Sequence, residues 1–329
     1  MKSPYTGKEM DKVYEKRTWK FRGEEYEYVH AAWLCADSGE MFTTDEMDDA
    51  GYVQVVNQYR AKYGIPFTDE IIDVRKKYGV SAAKMSQILG IGVNQWRLYE
   101  GGEVPNLSNG RMIRAIMNPN VFLEYVRASK PLLGESEYGK LESSISSVVD
   151  ESKKNEWERY VSQKIFLCDR GAENGYGRQS LEHLKHVLLY IIGRCGEVFC
   201  TKMNKLLFYS DFVAYRRYGM AITGLTYKAL EYGPVPERWD RIYSMFDEVV
   251  LEPRLSGVKE GVVLFSEKVM DAGVLTANEQ NVLDEVCSRF ADMSSTDMSR
   301  ISHCEDAWLE CHKDHGRISY DYAFQLKAI

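Results

Sequence analysis

The spacing of apolar and polar positions divides the amino-terminal half of the chain into segments of different character. Residues 17–35 alternate aromatic and charged side chains with a period near two, which predicts a small antiparallel sheet. Over 45–63 the apolar spacing becomes helical, and acidic residues crowd the first turn, where the helix dipole favours them. Residues 69–127 hold short helical patterns separated by glycines and prolines, and these patterns predict five compact helices.

A polar stretch separates this half from a second apolar region. Residues 131–179 are poor in large apolar side chains, which predicts an interdomain linker with room for one exposed helix. Residues 181–195 and 201–213 then follow helical spacing, and the broad apolar stripe of the second segment is typical of a central, largely buried helix. Two β-rich runs around Ser256–Gly257 predict a hairpin.

The whole pattern predicts a mainly α fold with small β elements. Hydrophobic residues make up 44% and charged residues 28% of the chain, which excludes wholly disordered and collagen-like proteins. We divide the 329 residues into a small module over 1–64, a five-helix domain over 65–130, the linker over 131–179 and a mostly helical domain over 180–329.

The charge balance limits how the protein meets nucleic acid. Lys and Arg number 42 against 49 Asp and Glu, a net charge of −7, so DNA binding requires a local basic face. Residues 69–117 supply one weakly, with seven basic side chains against five acidic ones. No apolar run reaches the roughly 18 residues of a membrane helix, and the first residues lack the apolar stretch of a signal peptide. The seven cysteines form no Cys-x-x-Cys pair, so we expect reduced thiols in a cytoplasmic protein with no membrane partner.

The segment 81–102 pairs two short helices around a glycine turn. One helix capped by Ser81 ends at Gly90 and the next begins near Val93, as in a helix-turn-helix whose second helix presents its first turn to base edges. Amides pair with adenine and arginine with guanine, so we predict base contacts by Asn94, Gln95 and Arg97. We predict phosphate contacts by Lys84, Arg111 and Arg114. Two short helices of an ordinary bundle have the same spacing, and that interpretation stays open.

Residues 92–101, followed by Pro105, resemble the helix-turn-helix domain of MqsA-type antitoxins, within the larger Xre/Cro-like class. The similarity extends over about residues 1–130. The resemblance implies a zinc-binding module ahead of the DNA-binding domain, a homodimer, and repression of the protein's own operon through operator DNA. Asn94 matches a DNA-contacting Asn of that family, whereas Leu98 stands where the family has Arg.

The zinc module of that family needs four thiolate or imidazole ligands on two turns. Here the first turn stands as Ser3–Gly7 and the second as Cys35–Glu40, so three of the four ligands are absent. We predict a degenerate zinc-ribbon-like module that has lost its metal and is held by its aromatic residues. His30 is then a strand residue and not a replacement ligand.

A second resemblance covers about residues 180–320. Its motifs are Thr201–Tyr209, Tyr227–Pro236 and Ser302–Trp308, and in combination they resemble the SocA-like, or Panacea, antitoxin domain. The resemblance implies neutralisation of a genetically linked protein toxin by direct contact or, as in the founding member, by adapting the toxin to a protease. Ala307 stands where the family pattern has Pro.

The same motifs also serve packing. We expect four of their large side chains to form the core, namely Leu206, Leu207, Trp239 and Trp308. Tyr and Arg dominate interface hot spots, so toxin contacts are predicted for five residues expected to be exposed: Tyr209, Tyr215, Arg216, Tyr232 and Arg238.

The segment 302–315 concentrates potential metal ligands. A metal-dependent hydrolase would use five of them, His303, Cys304, Cys311, His312 and His315. No set of nucleophile, base and orienting group accompanies the nearby polar residues, so we expect no enzyme, no catalytic residue, no metal and no cofactor. The sequence favours a type II antitoxin that binds its toxin and regulates its operon. A ligand-responsive transcriptional regulator is the main alternative.

Overall fold

The computed structural model describes residues 1–154, 156–256, 259–268, 270–271 and 273–329. The helices, in chain order, are α1 (Asp45–Tyr63), α2 (Thr68–Tyr78), α3 (Ala82–Leu89), α4 (Gln95–Glu100), α5 (Leu107–Ile116), α6 (Pro119–Ala128), α7 (Glu135–Lys154), α8 (Glu156–Ile165), α9 (Leu181–Cys195), α10 (Cys200–Tyr218), α11 (Trp239–Ile242), α12 (Ala277–Arg289), α13 (Ser295–Ser302) and α14 (Asp306–Cys311). The strands are β1 (Asp11–Phe21), β2 (Glu24–Leu34), β3 (Met41–Phe42), β4 (Val198–Phe199), β5 (Tyr227–Leu230), β6 (Gly233–Pro236), β7 (Val250–Ser256), β8 (Lys259–Phe265) and β9 (Arg317–Ile318). Helices dominate and the paired strands are antiparallel, which confirms the prediction of a mainly α chain with small β elements.

Contacts divide the chain into two compact units. The first unit combines Met1–Val55 with Ser162–Ile329, and the second unit consists of Val56–Val161. The sequence predicted four consecutive segments instead. The arrangement differs because the amino-terminal strands pack with the carboxyl-terminal helices, far away in the sequence.

The second unit has a hydrophobic core to which six of its helices contribute buried residues, from α2 to α7. The rings of Tyr78 and Phe122 stack at its centre, with centroids 4.1 Å apart. Ile145 and Val149 of α7 are also buried in this core, and their spacing of four residues places them on one helical face. Residues 135–154 therefore pack as a helix of this unit, where the sequence predicted an interdomain linker.

The amino-terminal part of the first unit is a three-stranded sheet in the order β1-β2-β3. β1 and β2 pair along their full lengths around the turn at Arg22–Gly23, where both residues have positive φ, 50° and 90°. From α1, the side chain of Gln54 accepts a hydrogen bond from the Val29 amide and donates one to the Val29 carbonyl, each at 3.0 Å. The helix thereby satisfies backbone groups of β2 that would otherwise form an open strand edge.

This sheet packs against the carboxyl-terminal part of the same unit. The ring of Tyr14 on β1 lies 5.5 Å from that of Phe324, which in turn lies 5.9 Å from Tyr215 of α10. At the end of α10, Gly219 has a φ of 68°, and a Cβ there would lie 2.7 Å from the carbonyl oxygen of Ala50. Both the positive φ and the close approach of the backbone require glycine.

The centre of the carboxyl-terminal part is α10. Fourteen of its 19 residues are buried, which confirms the prediction of a central buried helix. Around it lie two three-stranded sheets, in the orders β4-β8-β7 and β6-β5-β9. β7 and β8 form the predicted hairpin, although Gly257 of its predicted turn lies outside the described residues. No described helix has both the length and the apolar character needed to cross a membrane.

Candidate functional site

Helix α10 carries ionisable side chains into the core of the first unit. Lys205, Tyr209 and Asp211 are all 0% exposed. An unpaired buried charge is strongly destabilising, so the partners of each group indicate whether it serves the fold or a ligand.

Asp211 is fully paired. Its carboxylate accepts hydrogen bonds from the amides of Ile222 and Thr223, at 2.9 and 2.8 Å, and from the hydroxyl of Tyr227 at 2.6 Å. The Thr223 hydroxyl donates to the same carboxylate. Burial raises the pKa of Asp211, while the hydrogen bonds from Thr223, Tyr227 and Ile222 act in the opposite direction. This carboxylate ties the loop after α10 to the helix and is a structural group.

Tyr209 is paired with Glu305, whose side chain is buried. The hydroxyl of Tyr209 donates to Glu305 at 3.2 Å, and the same carboxylate accepts from the amides of Lys327 and Ala328 at 2.9 and 3.0 Å. Burial, followed by the charge of Glu305, raises the pKa of Tyr209. Glu305 therefore holds residues 327–328 against α10.

Trp308 lies between two imidazole rings. Its indole stacks on His303 with a centroid distance of 3.9 Å and on His312 with a distance of 4.2 Å. Its Nε1 donates to the Leu230 carbonyl of β5 at 2.8 Å. This contact joins α14 to the end of β5.

Lys205 differs from its neighbours because its ammonium has no hydrogen-bond partner among the described residues. Burial lowers the pKa of Lys205 to about 8. Gly233, the first residue of β6, lies directly against it: a Cβ at Gly233 would be 2.8 Å from the Cε of Lys205 and 3.3 Å from its Nζ. The φ of Gly233 is +108°, so glycine is required here for its conformation as well as for space.

The motif residues of the carboxyl-terminal half thus meet in one place, which we name the α10 cluster: Lys205, Tyr209, Gly233, His303, Glu305 and Trp308. Leu206 and Leu207 beside it are fully buried, as predicted. Sequence reasoning identified these motifs but missed that Lys205 is left unpaired among the described residues. The sequence signal was a lysine inside a broad apolar stripe.

The exposure predicted for the toxin-binding residues is only partly correct. Tyr209 and Tyr215 were expected at the surface, but they are 0% and 7% exposed because α10 is surrounded by protein on nearly all sides. Arg216 is half-buried and donates to the carbonyl of Ile329 at 3.1 Å. Tyr232 is 54% exposed and Arg238 is exposed, as predicted.

Two further predictions concern aromatic packing. Trp308 is half-buried and packs as expected, whereas Trp239 was predicted in the core and is 38% exposed. Trp239 begins the four-residue helix α11, which follows directly after the β5–β6 hairpin. Tyr232, Arg238 and Trp239 are therefore surface residues that flank β6.

The potential metal ligands of 302–315 serve other contacts. His303 and His312 stack on Trp308, His315 Nδ1 lies 3.3 Å from the Ala229 carbonyl, and Cys304 is exposed. Within the described residues, the group of histidine and carboxylate atoms close enough to hold a metal ion is Glu182, His186 and Asp271. His186 Nε2 is 3.3 Å from the carboxylate of Asp271, which is 81% exposed.

In the second unit, α3 and α4 form the helix pair predicted from the sequence. Ser81 caps α3, accepting from the Lys84 amide at 3.2 Å, and Gly90 ends it in a left-handed conformation. The buried Trp96 fixes α4, because its amide donates to Ser86 at 3.0 Å and its indole donates to Glu100 at 2.9 Å.

The predicted DNA-contacting residues have different surroundings on this pair. Asn94 and Arg97 are exposed, whereas Gln95 is half-buried and donates to Glu103 at 3.1 Å. Of the predicted phosphate contacts, Arg111 is exposed. Lys84 pairs with Glu137 at 2.6 Å and Arg114 pairs with Glu70 at 3.0 Å, so DNA would have to compete with both ion pairs.

Two matching turns bring together the positions that would hold zinc in a zinc-binding module. In each turn a glycine amide donates four residues back, Gly7 to Ser3 at 2.9 Å and Gly39 to Cys35 at 2.8 Å. Thr6 Oγ1 lies 3.9 Å from Cys35 Sγ, and hydrogen bonds from Ser3 and Ser38 lower the pKa of the Cys35 thiol to about 6. Hydroxyl groups thus stand beside a single thiol, while His30 is a buried residue of β2.

Comparison with known protein families finds a match in the carboxyl-terminal half of the chain. Residues 203–309 match the family described as "Antitoxin SocA-like, Panacea domain". The matched segment lies entirely within the first unit and contains every member of the α10 cluster. No match was found among curated proteins or among solved structures.

Proposed function

We propose that this protein is an antitoxin that neutralises a protein toxin by direct, stoichiometric binding. The observation that carries the proposal is the match of residues 203–309 to the SocA-like antitoxin family. Inhibition by surface contact needs no catalytic step, so no residue is assigned to catalysis. We place this activity in the cytoplasm.

The surface that we propose for the toxin surrounds the β5–β6 hairpin. Tyr232, Trp239 and Leu309 are 54%, 38% and 44% exposed, and Arg238 lies next to Trp239. Aromatic and arginine side chains provide most of the binding energy at protein interfaces. α14, which carries Trp308 of the α10 cluster, packs against both strands, so this surface and the cluster share the same elements.

Co-expression with the neighbouring gene tests the proposal. Cells that produce a toxin from that gene should grow when this chain is present and stop growing when it is absent. The double variant Tyr232→Ala and Arg238→Ala should lose at least about 2 kcal/mol of binding free energy, or roughly 30-fold in affinity. Tyr5→Ala is the matched control, since Tyr5 is 70% exposed in the amino-terminal part. Equal growth with and without the chain would overturn the proposal.

We also propose that α3 and α4 bind operator DNA, with Asn94 and Arg97 reading bases. Their exposure at the start of α4 supports this role. A homodimer would place two half-sites about 34 Å apart on the operator. Asn94→Ala with Arg97→Ala should weaken promoter binding by about 1–3 kcal/mol for each lost contact, measured by mobility shift, and leave neutralisation intact. Unchanged repression in that variant would contradict the readout role.

A ligand-responsive regulator is the alternative for the same architecture. It would bind the same promoter but release it on adding a small molecule, and it would not rescue growth. A protease that degrades the toxin is a further partner to test. If a protease takes part, toxin levels should fall during rescue, whereas direct neutralisation should leave the toxin in a complex with this chain.

A further inference from the structure

The ammonium of Lys205 lacks a counter-charge within the part of the chain that the structure describes. Its side chain is 0% exposed and its Nζ has no hydrogen-bond partner there. Burial is what lowers the pKa of this lysine, and no carboxylate acts against it. A pKa of about 8 still leaves most of the lysines protonated at pH 7. Within the described residues, this buried ammonium therefore has neither a hydrogen-bond partner nor a paired carboxylate.

A second polar atom is orphaned beside this ammonium. Nε2 of His303 is buried and has no partner among the described residues, while the ring forms a hydrogen bond with the backbone of Glu231. After burial, the charge of Lys205 contributes to lowering the pKa of His303. The preceding residue, Ser302, and Lys205 both lie against Gly233.

The carboxylate of the α10 cluster is already in use. Glu305 accepts hydrogen bonds from the hydroxyl of Tyr209 and from two backbone amides near the end of the sequence. It is fully engaged in holding that segment. Among the described residues, Glu305 therefore does not serve as the counter-charge of Lys205.

We propose that Lys205 and His303 form a binding site for a carboxylate side chain presented by the protein partner. A carboxylate matches an ammonium through short, charge-assisted hydrogen bonds, which are about twice as strong as neutral ones. His303 can donate to the second oxygen when protonated, or accept from a protonated carboxyl group when neutral. This inference rests on the proposed function, because it specifies what the toxin presents to the α10 cluster.

The β5–β6 turn lies over this site. Glu231 and Tyr232 of the turn are exposed, while Gly233 behind them covers the lysine. Tyr232 also belongs to the surface that we propose for the toxin. To reach the buried ammonium, a carboxylate that docks beside Tyr232 has to displace this turn.

The site can be tested without any toxin by nuclear magnetic resonance. In the full chain labelled with ¹³C at the lysine Cε, the Lys205 signal is identified by its loss in Lys205→Met. Sodium acetate should shift this signal in a saturable manner, whereas sodium chloride at the same ionic strength should not. No shift with acetate, or an equal shift with chloride, would overturn the carboxylate site.

Neutralisation then distinguishes a protein carboxylate from a free small one. Lys205→Met should bind the toxin at least tenfold more weakly while its melting temperature stays equal to or above that of the unmodified chain. Lys202→Met is the matched control on the same helix, since Lys202 donates to the carbonyls of Ala291 and Met293 at 3.0 and 2.9 Å. This control should leave the acetate response and toxin affinity unchanged.

The two proposals fail in different ways. If the unmodified chain never rescues growth but acetate still shifts Lys205, the antitoxin function fails and the anion site stands without its protein partner. If rescue occurs and Lys205→Met binds the toxin as tightly as the unmodified chain, the proposal that a toxin carboxylate binds Lys205 is overturned and the antitoxin function stands.

Discussion

Helix α10 buries two groups of opposite charge, and their surroundings contrast sharply. Asp211 accepts hydrogen bonds from two amides and two hydroxyls, whereas Lys205 has no partner among the described residues. Both were placed in the interior by the same apolar helix, so burial alone does not separate their roles. The number of satisfied hydrogen bonds separates them, since a fully paired buried group stabilises the fold whereas an unpaired buried charge destabilises it.

The strongest test of this contrast removes the paired group. Asp211→Ala leaves the donors of Ile222, Thr223 and Tyr227 without an acceptor, so we expect unfolding free energy to fall by about 3–5 kcal/mol. Urea denaturation measures the change. Asp292→Ala is the control, because Asp292 is exposed, and it should change stability by less than about 0.5 kcal/mol. A loss below about 1 kcal/mol for Asp211→Ala would mean that the carboxylate is not the anchor described above.

Removing the unpaired group should change the unfolding free energy in the opposite direction. Lys205→Met keeps the length of the side chain and deletes the charge, so we expect it to stabilise the fold at pH 7. The lowered pKa of Lys205 corresponds to a cost of about 3 kcal/mol for keeping the lysine charged instead of neutral, which sets the scale of this gain. A clear loss of stability in the same urea experiment would show that Lys205 has an internal partner, and the contrast with Asp211 would disappear.

The pH dependence of the same pair of proteins sharpens the result. Because the pKa of Lys205 is about 8 when folded and near 10.5 when unfolded, the unfolded chain binds more protons between these values. The unfolding free energy of the unmodified chain should therefore rise with pH in this window, by at most about 1.4 kcal/mol for each step of one in pH. Below pH 8 the unmodified chain should be less stable than Lys205→Met by the full cost of the charge. This difference in unfolding free energy should disappear near pH 10.5. Buried tyrosines titrate equally in both proteins, so the difference isolates the lysine.

Trp308 is intermediate between Asp211 and Lys205, because its side chain donates one hydrogen bond. Trp308→Phe loses the hydrogen bond to the Leu230 carbonyl, so we expect a stability loss of about 1 kcal/mol. Trp157→Phe is the matched control, as Trp157 is 73% exposed. Equal melting temperatures for the two variants would show that the indole donor contributes nothing.

Sequence patterns predicted the parts of the fold that depend on local periodicity. The apolar stripe of residues 201–213 correctly predicted that α10 is buried. The alternation of aromatic and charged residues over 17–35 correctly predicted an antiparallel sheet, seen in the β1–β2 pair. Periodicity failed where a helix is surrounded on all sides, since no polar face marks the exposed positions. For that reason Tyr209 and Tyr215 were expected at the surface although both are buried.

Long-range pairing explains the remaining differences. Ile145 and Val149 are sparse apolar positions in a serine-rich stretch, and only the core of the second unit reveals that they pack. The α10 cluster joins Lys205 to His303, nearly a hundred residues later in the chain. Motif resemblance named both regions in advance, but the unpaired state of Lys205 depends on every neighbour that surrounds it.

The discontinuous first unit has a consequence for synthesis of the protein. Residues up to Val55 leave the ribosome before the whole second unit, yet Tyr14 packs on Phe324 and Ala50 on Gly219. At about 5–20 residues per second, the early strands wait tens of seconds or less for these partners. During that interval the nascent hairpin lacks these contacts and is accessible to chaperones and proteases.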